Sequence, residues 1–358
     1  MRLDTTTMRI LNVLSADLGR PFSINQLTQK IKETYGTAYY ANIYNRLHDL
    51  EKQQFITLNQ IGKSSIITLN FQNYLLTDLM AELETSKKIE TIIGKESLQP
   101  LLEKIDRDFG NQPSIKSICS IDLERNLKLN RLELLFLLRN TDASQADREE
   151  TATIYTKLRS SASQYNLRID GLTLNEAEFK QSLESDEANP VKEMMYRKTV
   201  LFCPQTFWNT MREIIEKGTR IRTDETELNL ADITENDVTY NLARFGYEEF
   251  GSTTKTGHKI CIEDIATALL MQRSIRRTEA MPIILAKNDA NSNLLTFLSK
   301  KYEVAGRMLG VLKILMRARP REYLEQAIRF LEASGVKEVK ADKNSILQRM
   351  TLYDARQE

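Results

Sequence analysis

The sequence predicts an α+β fold that is mostly helical, and three observations carry that reading. Glycine and proline are scarce, at 13 and 7 in 358 residues, so little of the chain is composed for long loops. Apolar residues recur every three or four positions through most of the sequence, which is helical spacing. Between Pro113 and Gly218 the pattern changes to short apolar runs alternating with helical stretches, the mark of an α/β unit. The chain is therefore expected to divide into residues 1–70, a helical linker at 71–112, an α/β domain at 113–218 and a helical bundle at 219–358.

Residues 23–69 order the first unit. Ser23 followed by Gln26 is a capping box, and Ile24, Leu27 and Ile31 follow at helical spacing. Gly36 ends that helix. In the next helix Tyr40, Ile43, Tyr44, Leu47 and Leu50 form one stripe, expected to pack, and Tyr39, Asn42, Arg46 and Asp49 form a second, expected to face outward. The runs 56–58 and 66–69 are β-branched and joined by a polar tip containing Gly62, Lys63 and Ser64. Upstream, Ile10, Leu11, Leu14 and Leu18 supply a helix to back the pair. This order of helix, helix, helix and ribbon resembles the winged helix-turn-helix family over roughly residues 5–80.

The resemblance implies a DNA-binding module. Asn42 and Arg46 are the expected base-edge readers, since Asn pairs bidentately with adenine and Arg with guanine in the major groove. Thr37 and Tyr39 would touch backbone or a thymine methyl, and Lys63 with Ser64 would hold a phosphate from the wing. Residues 1–70 carry eight Lys or Arg against five Asp or Glu. That mild excess neutralises few phosphates, so two copies in a homodimer are expected to bind better than one. Winged helices also serve as protein-interaction modules, and that alternative stays open.

After the wing, residues 71–95 read as one amphipathic helix with Tyr74, Leu75, Leu79, Leu83 and Ile89 on a stripe. It is either a dimer helix or a connector. A second helix runs from Leu98 to Phe109. Strands are then expected at 115–119, 131–138, 167–174 and 200–202, with helices at 144–165, from Asn175 (a capping box with Glu178), at 190–196 and from Pro204.

The succession of strand, strand, long helix, strand and the segments NEAEF and RKTVLFCPQTFW resembles the nucleotidyltransferase fold of the polymerase-β-like kind, in its prokaryotic and archaeal form, with a mixed sheet. In that family a Gly-Ser pair follows the first strand, Asp-x-Asp lies on the second, and a later strand adds a third carboxylate. Residues two apart on a strand share a face, so such carboxylates can clamp metal ions. Here the Gly-Ser pair falls on Cys119 and Ser120, Asp-x-Asp falls on Arg131 and Glu133, and Asp170 stands for the third carboxylate. Cysteine lacks glycine's freedom, and arginine cannot ligate a metal. The domain is accordingly read as a fold kept without its catalysis, without metal or cofactor. The alternative is an active nucleotidyltransferase using Mg²⁺ and a nucleoside triphosphate through Asp122, Glu124, Glu133 and Asp170, with Asp122 and Glu124 as a same-face pair if the first strand extends that far.

In the last part, residues 219–237 are polar and acidic and are expected as an exposed connection. The segment 251–259 is rich in Gly, Thr and Lys, but its spacing is not that of a phosphate-binding loop. Helices are expected at 262–277, 281–286, 292–302, 304–317, 320–334 and 343–354. Residues 271–329 hold twelve Lys or Arg against five Asp or Glu. Their clusters at Arg273, Arg276 and Arg277 and at Arg317, Arg319 and Arg321 are solvated faces, balanced by the acidic stretch before Asp237, or a surface for nucleic acid or an acidic partner.

Composition narrows the function classes. Net charge is +1, so any charge-driven partner must meet a local patch. Cys119, Cys203 and Cys261 are widely spaced and odd in number, which argues against zinc and for a reducing compartment. Two histidines, His48 and His258, leave little for His-based chemistry. There is no leader pattern and no apolar run near the ~20 residues that span a bilayer, so a cytoplasmic protein without a membrane partner is expected. The reading that joins these observations is a transcription regulator binding double-stranded DNA, with its transferase-like domain serving dimerisation, ligand sensing or a protein contact.

Overall fold

The structure, a computed structural model, describes residues 3–62, 64–93, 95, 98–140, 145–219, 221–248, 256–272 and 275–354. Within these residues the chain is a mostly helical α/β protein with seventeen helices and two small sheets. It opens with α1 (Thr5–Ala16), β1 (Phe22–Ser23), α2 (Ile24–Tyr35), α3 (Tyr40–Lys52), β2 (Ile56–Ile61) and β3 (Ser64–Leu69). The Ser23–Gln26 capping box forms in both directions. Gly36 follows α2 at φ 80°, a backbone state that favours glycine. β2 and β3 pair antiparallel from Ile56↔Leu69 to Ile61↔Ser64, and β1 adds a short third strand through Phe22↔Ile67. Ile10, Leu14, Leu27, Ile31, Ile43, Leu47, Leu50 and Ile67 make the core of this unit.

Two helices lead onward, α4 (Leu75–Ile92) and α5 (Gln99–Phe109). The second sheet follows: β4 (Ile115–Ile121), α6 (Leu123–Lys128), β5 (Arg131–Leu138), α7 (Gln145–Tyr165), β6 (Arg168–Asn175), α8 (Glu176–Glu184), α9 (Pro190–Arg197), β7 (Lys198–Phe202) and α10 (Pro204–Glu216). Its order is β6-β5-β4-β7, with β5 and β6 parallel and the other pairs antiparallel. Alternation of side chains splits it cleanly. Cys119, Ile121, Leu135, Leu137, Leu172, Leu174 and Val200 share a cluster with residues of α4, α8, α9 and α10. Ile118, Leu132, Leu134, Phe136 and Ile169 face the opposite cluster with α5 and α7.

The expected stripe on α4 is not one face. Leu79 and Leu83 are buried with Leu76 and Met80, whereas Tyr74, Leu75 and Ile89 are exposed. The buried face lies against α10 and β7 within the same chain. A dimer helix on that face is therefore ruled out, because its apolar surface is already covered.

The remainder is helical: α11 (Glu235–Arg244), α12 (Ile262–Met271), α13 (Ile275–Lys287), α14 (Ser292–Lys301), α15 (Ala305–Ala318), α16 (Glu322–Ala333) and α17 (Lys343–Asp354). These helices share one core, and α12 is buried from Ile262 to Leu270 on all sides. The helix expected at 262–277 stops at Met271, where Gln272 turns extended, and the next one runs through Pro282 rather than starting beside it. The segment 251–255 and the side chains of Arg273, Arg276 and Arg277 lie outside the described residues. Arg317 is exposed, and Arg321 pairs with Asp289 at 2.8 Å.

Among the described residues these parts share a core. Leu11 and Leu18 point away from the first unit into the core that holds Phe71, Trp208 and the central sheet. The expected exposed connection at 219–237 is instead pinned. Ile221 and Leu230 are buried, Thr223 donates to the Ala16 carbonyl at 2.7 Å, and a Cβ on Gly19 would collide with the Ile221 carbonyl. Local polarity gave no hint of this, since the anchors are isolated apolar residues in an acidic run.

At the junction lies Lys198, whose ammonium donates to the Ser15 carbonyl at 3.1 Å and the Met195 carbonyl at 3.2 Å and sits 4.8 Å from the Trp208 ring centre. Burial pushes its pKa down to about 8, against the opposing pull of Glu84. Between that value and the ordinary 10.5 the unfolded chain holds the proton that the folded chain has lost, so stability rises with pH in this window. Relative to Lys198→Met, the wild type is expected to gain on the order of 3 kcal/mol between pH 8 and pH 10.5, measured by denaturant melts of both proteins. A difference that stays flat would mean that the ammonium is solvated.

Candidate functional site

Two surfaces carry the expected functional residues. The first is the outer face of α3 with its hairpin. Ile43, Leu47 and Leu50 pack inward as the spacing requires. Thr37 and Asn42 are exposed, Tyr39 is 72% exposed, and Ser64 is exposed at the first position of β3. Lys63 lies outside the described residues. Arg46 behaves differently from a free base reader. Its guanidinium ion-pairs with Asp4, the residue that caps α1, and lies 3.7 Å from Asp49.

Tyr40 and Tyr44 also depart from expectation. Both were assigned to the packed stripe, yet both are exposed, with ring centres 6.0 Å apart, and Tyr44 meets His48 edge-on at 4.5 Å. Their spacing of four residues aligns them as a ladder along the solvent side of α3. Ile43, Leu47 and Leu50 fill the inward face, while Tyr40 stands at the first position of the helix and Tyr44 on its flank.

The second surface is a cleft at one end of the central sheet. Alternation brings Arg131 and Glu133 to one face of β5, and the parallel register sets Glu133 directly beside Asp170 of β6. Glu133 and Asp170 are both nearly fully buried. Each already has a cation: Lys301 lies 3.7 Å from Glu133, while Lys300 at 3.3 Å and Arg168 at 2.7 Å hold Asp170. Burial raises the pKa of Glu133, opposed by Lys301.

The proposed same-face pair of Asp122 and Glu124 does not form, because β4 ends at Ile121. Asp122 sits in the left-handed region at φ 40° and heads α6, and Glu124 is exposed in the first turn of that helix. Asp122 lines the cleft and takes Arg197 at 3.4 Å. Cys119 and Ser120 lie in mid-strand and are fully buried, not in a phosphate-facing turn. Burial pushes the Cys119 thiol up to about 12.

Sequence reasoning missed most of the cleft. Arg125 comes from α6, Glu193 and Arg197 from α9, Glu227 from the pinned segment and Lys301 from the end of α14. Glu227 is the hub: its carboxylate takes Arg125 at 3.0 Å, Arg197 at 3.3 Å and Lys301 at 2.5 Å. Burial works to raise its pKa, but Lys301 and Arg125 together hold it below the usual range. The available signal was the acidic run TDETELN, although Lys217, Arg220 and Arg222 just before it offer nearer partners than the ones Glu227 takes.

Glu133 and Asp170 are each committed to lysine, Arg131 cannot ligate, and Glu124 is exposed. Among the described residues, no group of three His, Cys, Asp or Glu side chains is placed to hold a metal ion. Likewise no described helix is long and apolar enough to cross a membrane.

Glu193 borders this cleft and accepts the Leu228 backbone N–H at 2.8 Å, while burial raises its pKa to about 7. Between pH 4.5 and 7 the folded chain keeps a proton that the unfolded chain has released, so this group makes stability fall as pH rises. Glu193→Gln, which keeps the acceptor, is expected to remove that slope, worth on the order of 2–3 kcal/mol across the window in chemical denaturation. An unchanged slope would place the carboxyl in water. Comparison of the whole chain with protein-family models, with curated proteins and with solved structures finds no match.

Proposed function

We propose that this protein is a DNA-binding regulator that reads double-stranded DNA with α3 and steadies it with the β2–β3 hairpin. One observation carries the reading. The described residues of the first seventy form three helices backed by a three-stranded ribbon, and Tyr39 and Asn42, at the start of α3, are exposed. A helix fits the major groove, and an exposed Asn there can pair with adenine. The hairpin tip, two residues between Ile61 and Ser64, is short enough to lie along a phosphate backbone.

On this reading Arg46 is a conditional reader: it contacts a base only after leaving Asp4. The lysine-balanced carboxylates of the central domain support a ligand-binding or partner-binding role rather than nucleotidyl transfer, since metal-directed chemistry needs those oxygens free. A homodimer, if it binds DNA, must use a surface other than the covered face of α4.

The test is a salt series on duplex DNA with a randomised central region, followed by the selected site. Asn42→Ala is expected to weaken the selected site by ~1–3 kcal/mol and relax preference at one base pair. Lys63→Ala should weaken all sequences alike and lower the salt slope by about one. An absence of binding at low salt would overturn the proposal.

A further inference from the structure

The segment 221–230 spans all three parts of the molecule and puts a carboxylate on each side of its path. Glu225 pairs with Lys30 of α2 in the first unit, and its backbone carbonyl accepts from Arg197 at 3.1 Å. Two residues on, Glu227 sits among Arg125, Arg197 and Lys301. Leu228 then bonds to Glu193, and its carbonyl faces the Tyr302 hydroxyl at 3.4 Å on the far side. Three cations converge on this one carboxylate, and two of them are shared, Arg197 with Asp122 at 3.4 Å and Lys301 with Glu133 at 3.7 Å. The same cations are open to water in part, since the Arg125 side chain is 58% exposed.

We propose that this cleft is a binding site for a phosphate group, that Glu227 is its resting occupant, and that a phosphate displacing Glu227 loosens the Glu225–Lys30 contact on the first unit. The donors support the ligand class. Arg125, Arg131, Arg197 and Lys301 line the cleft with Asp122, Glu133, Glu193 and Glu227, and Glu303 lies 3.7 Å from Arg131 at its rim. The three cations that hold the Glu227 carboxylate can hold the oxygens of a phosphate in its place, and two of them are guanidinium groups that offer it forked donors. The coupling follows from chain length. Glu225 and Glu227 are two residues apart, at most ~7 Å of chain, so a backbone shift that carries Glu227 out of the cleft acts directly on Glu225. This holds whatever the first unit binds, so it stands or falls separately from the DNA reading.

The test is calorimetric titration of the full chain with pyrophosphate, in metal-free, low-salt buffer, for wild type, Glu227→Gln and Glu225→Gln. Parallel titrations with inorganic phosphate and ATP identify which carrier of the group is preferred. Removing the competing charge in Glu227→Gln is expected to tighten pyrophosphate binding at least ~10-fold. Glu225→Gln, an exposed pair whose loss spares the core, is expected to tighten it by a smaller factor. Amide exchange over 221–230 should quicken in the wild type at saturation. Equal affinities for wild type and Glu227→Gln, or no binding by that variant, would overturn the site. An unchanged affinity in Glu225→Gln would overturn the coupling, and that variant decides the question even if Glu227→Gln does not fold.

Discussion

The outer edge of β7 is the constraint that most of the structure answers. An edge strand presents unpaired backbone groups, and an apolar one invites pairing with another chain. Here α4 covers it with side chains at helical spacing. Glu84 accepts the Val200 N–H at 2.9 Å, Lys87 donates to the Lys198 carbonyl at 2.9 Å, and Lys88 donates to the Leu201 carbonyl at 2.8 Å. Glu84 is itself fully buried and answered by Lys87 at 3.3 Å. Because α4 is held in this way, its apolar face meets α10, and the chain entering it from the ribbon is fixed as well. The opposite edge, β6, is covered by α14, which brings Lys300 and Lys301 to the end of the sheet.

That placement sets the character of the cleft. In a low-dielectric site a buried carboxylate must be paired or neutralised. Glu133 and Asp170 are paired, by lysines that arrive at the end of a helix whose middle is packed on the same sheet. Lys301 reaches both Glu133 and Glu227, and its pKa is pushed up because these carboxylates outweigh the cost of burial. The charge network is thus a consequence of helix packing as much as of local composition.

The first unit is tied to the rest by a helix with two working faces. Ile10, Val13 and Leu14 of α1 serve the small core beneath α3, while Leu11 serves the central domain. Its cap, Asp4, holds Arg46 of α3, and its carbonyls at Ser15 and Ala16 receive Lys198 and Thr223. Movement of α1 is therefore felt at α3 and at the segment 221–230 together. Tyr40 and Tyr44 stand exposed on α3, with the half-buried His48 edge-on to Tyr44.

Local periodicity determined the elements. The helix from Ile24, its capping box, the strand Arg131–Leu138, the capping box at Asn175 and the helix from Pro204 follow from spacing and end signals, because such patterns act over one or two turns. The sequence also placed Glu133 and Asp170 in strands. Only tertiary structure decided what those residues meet. The partners of Glu133 and Glu227, and Lys300 beside Asp170, come from α6, α9 and α14, separated by tens to more than a hundred residues, and no period links them. The same holds for Arg46, whose partner is 42 residues away, and for α4, whose covered face depended on a strand more than a hundred residues later. A single chain records which residues are charged and which are apolar. Which charges share a cleft is fixed by how helices close over the sheet.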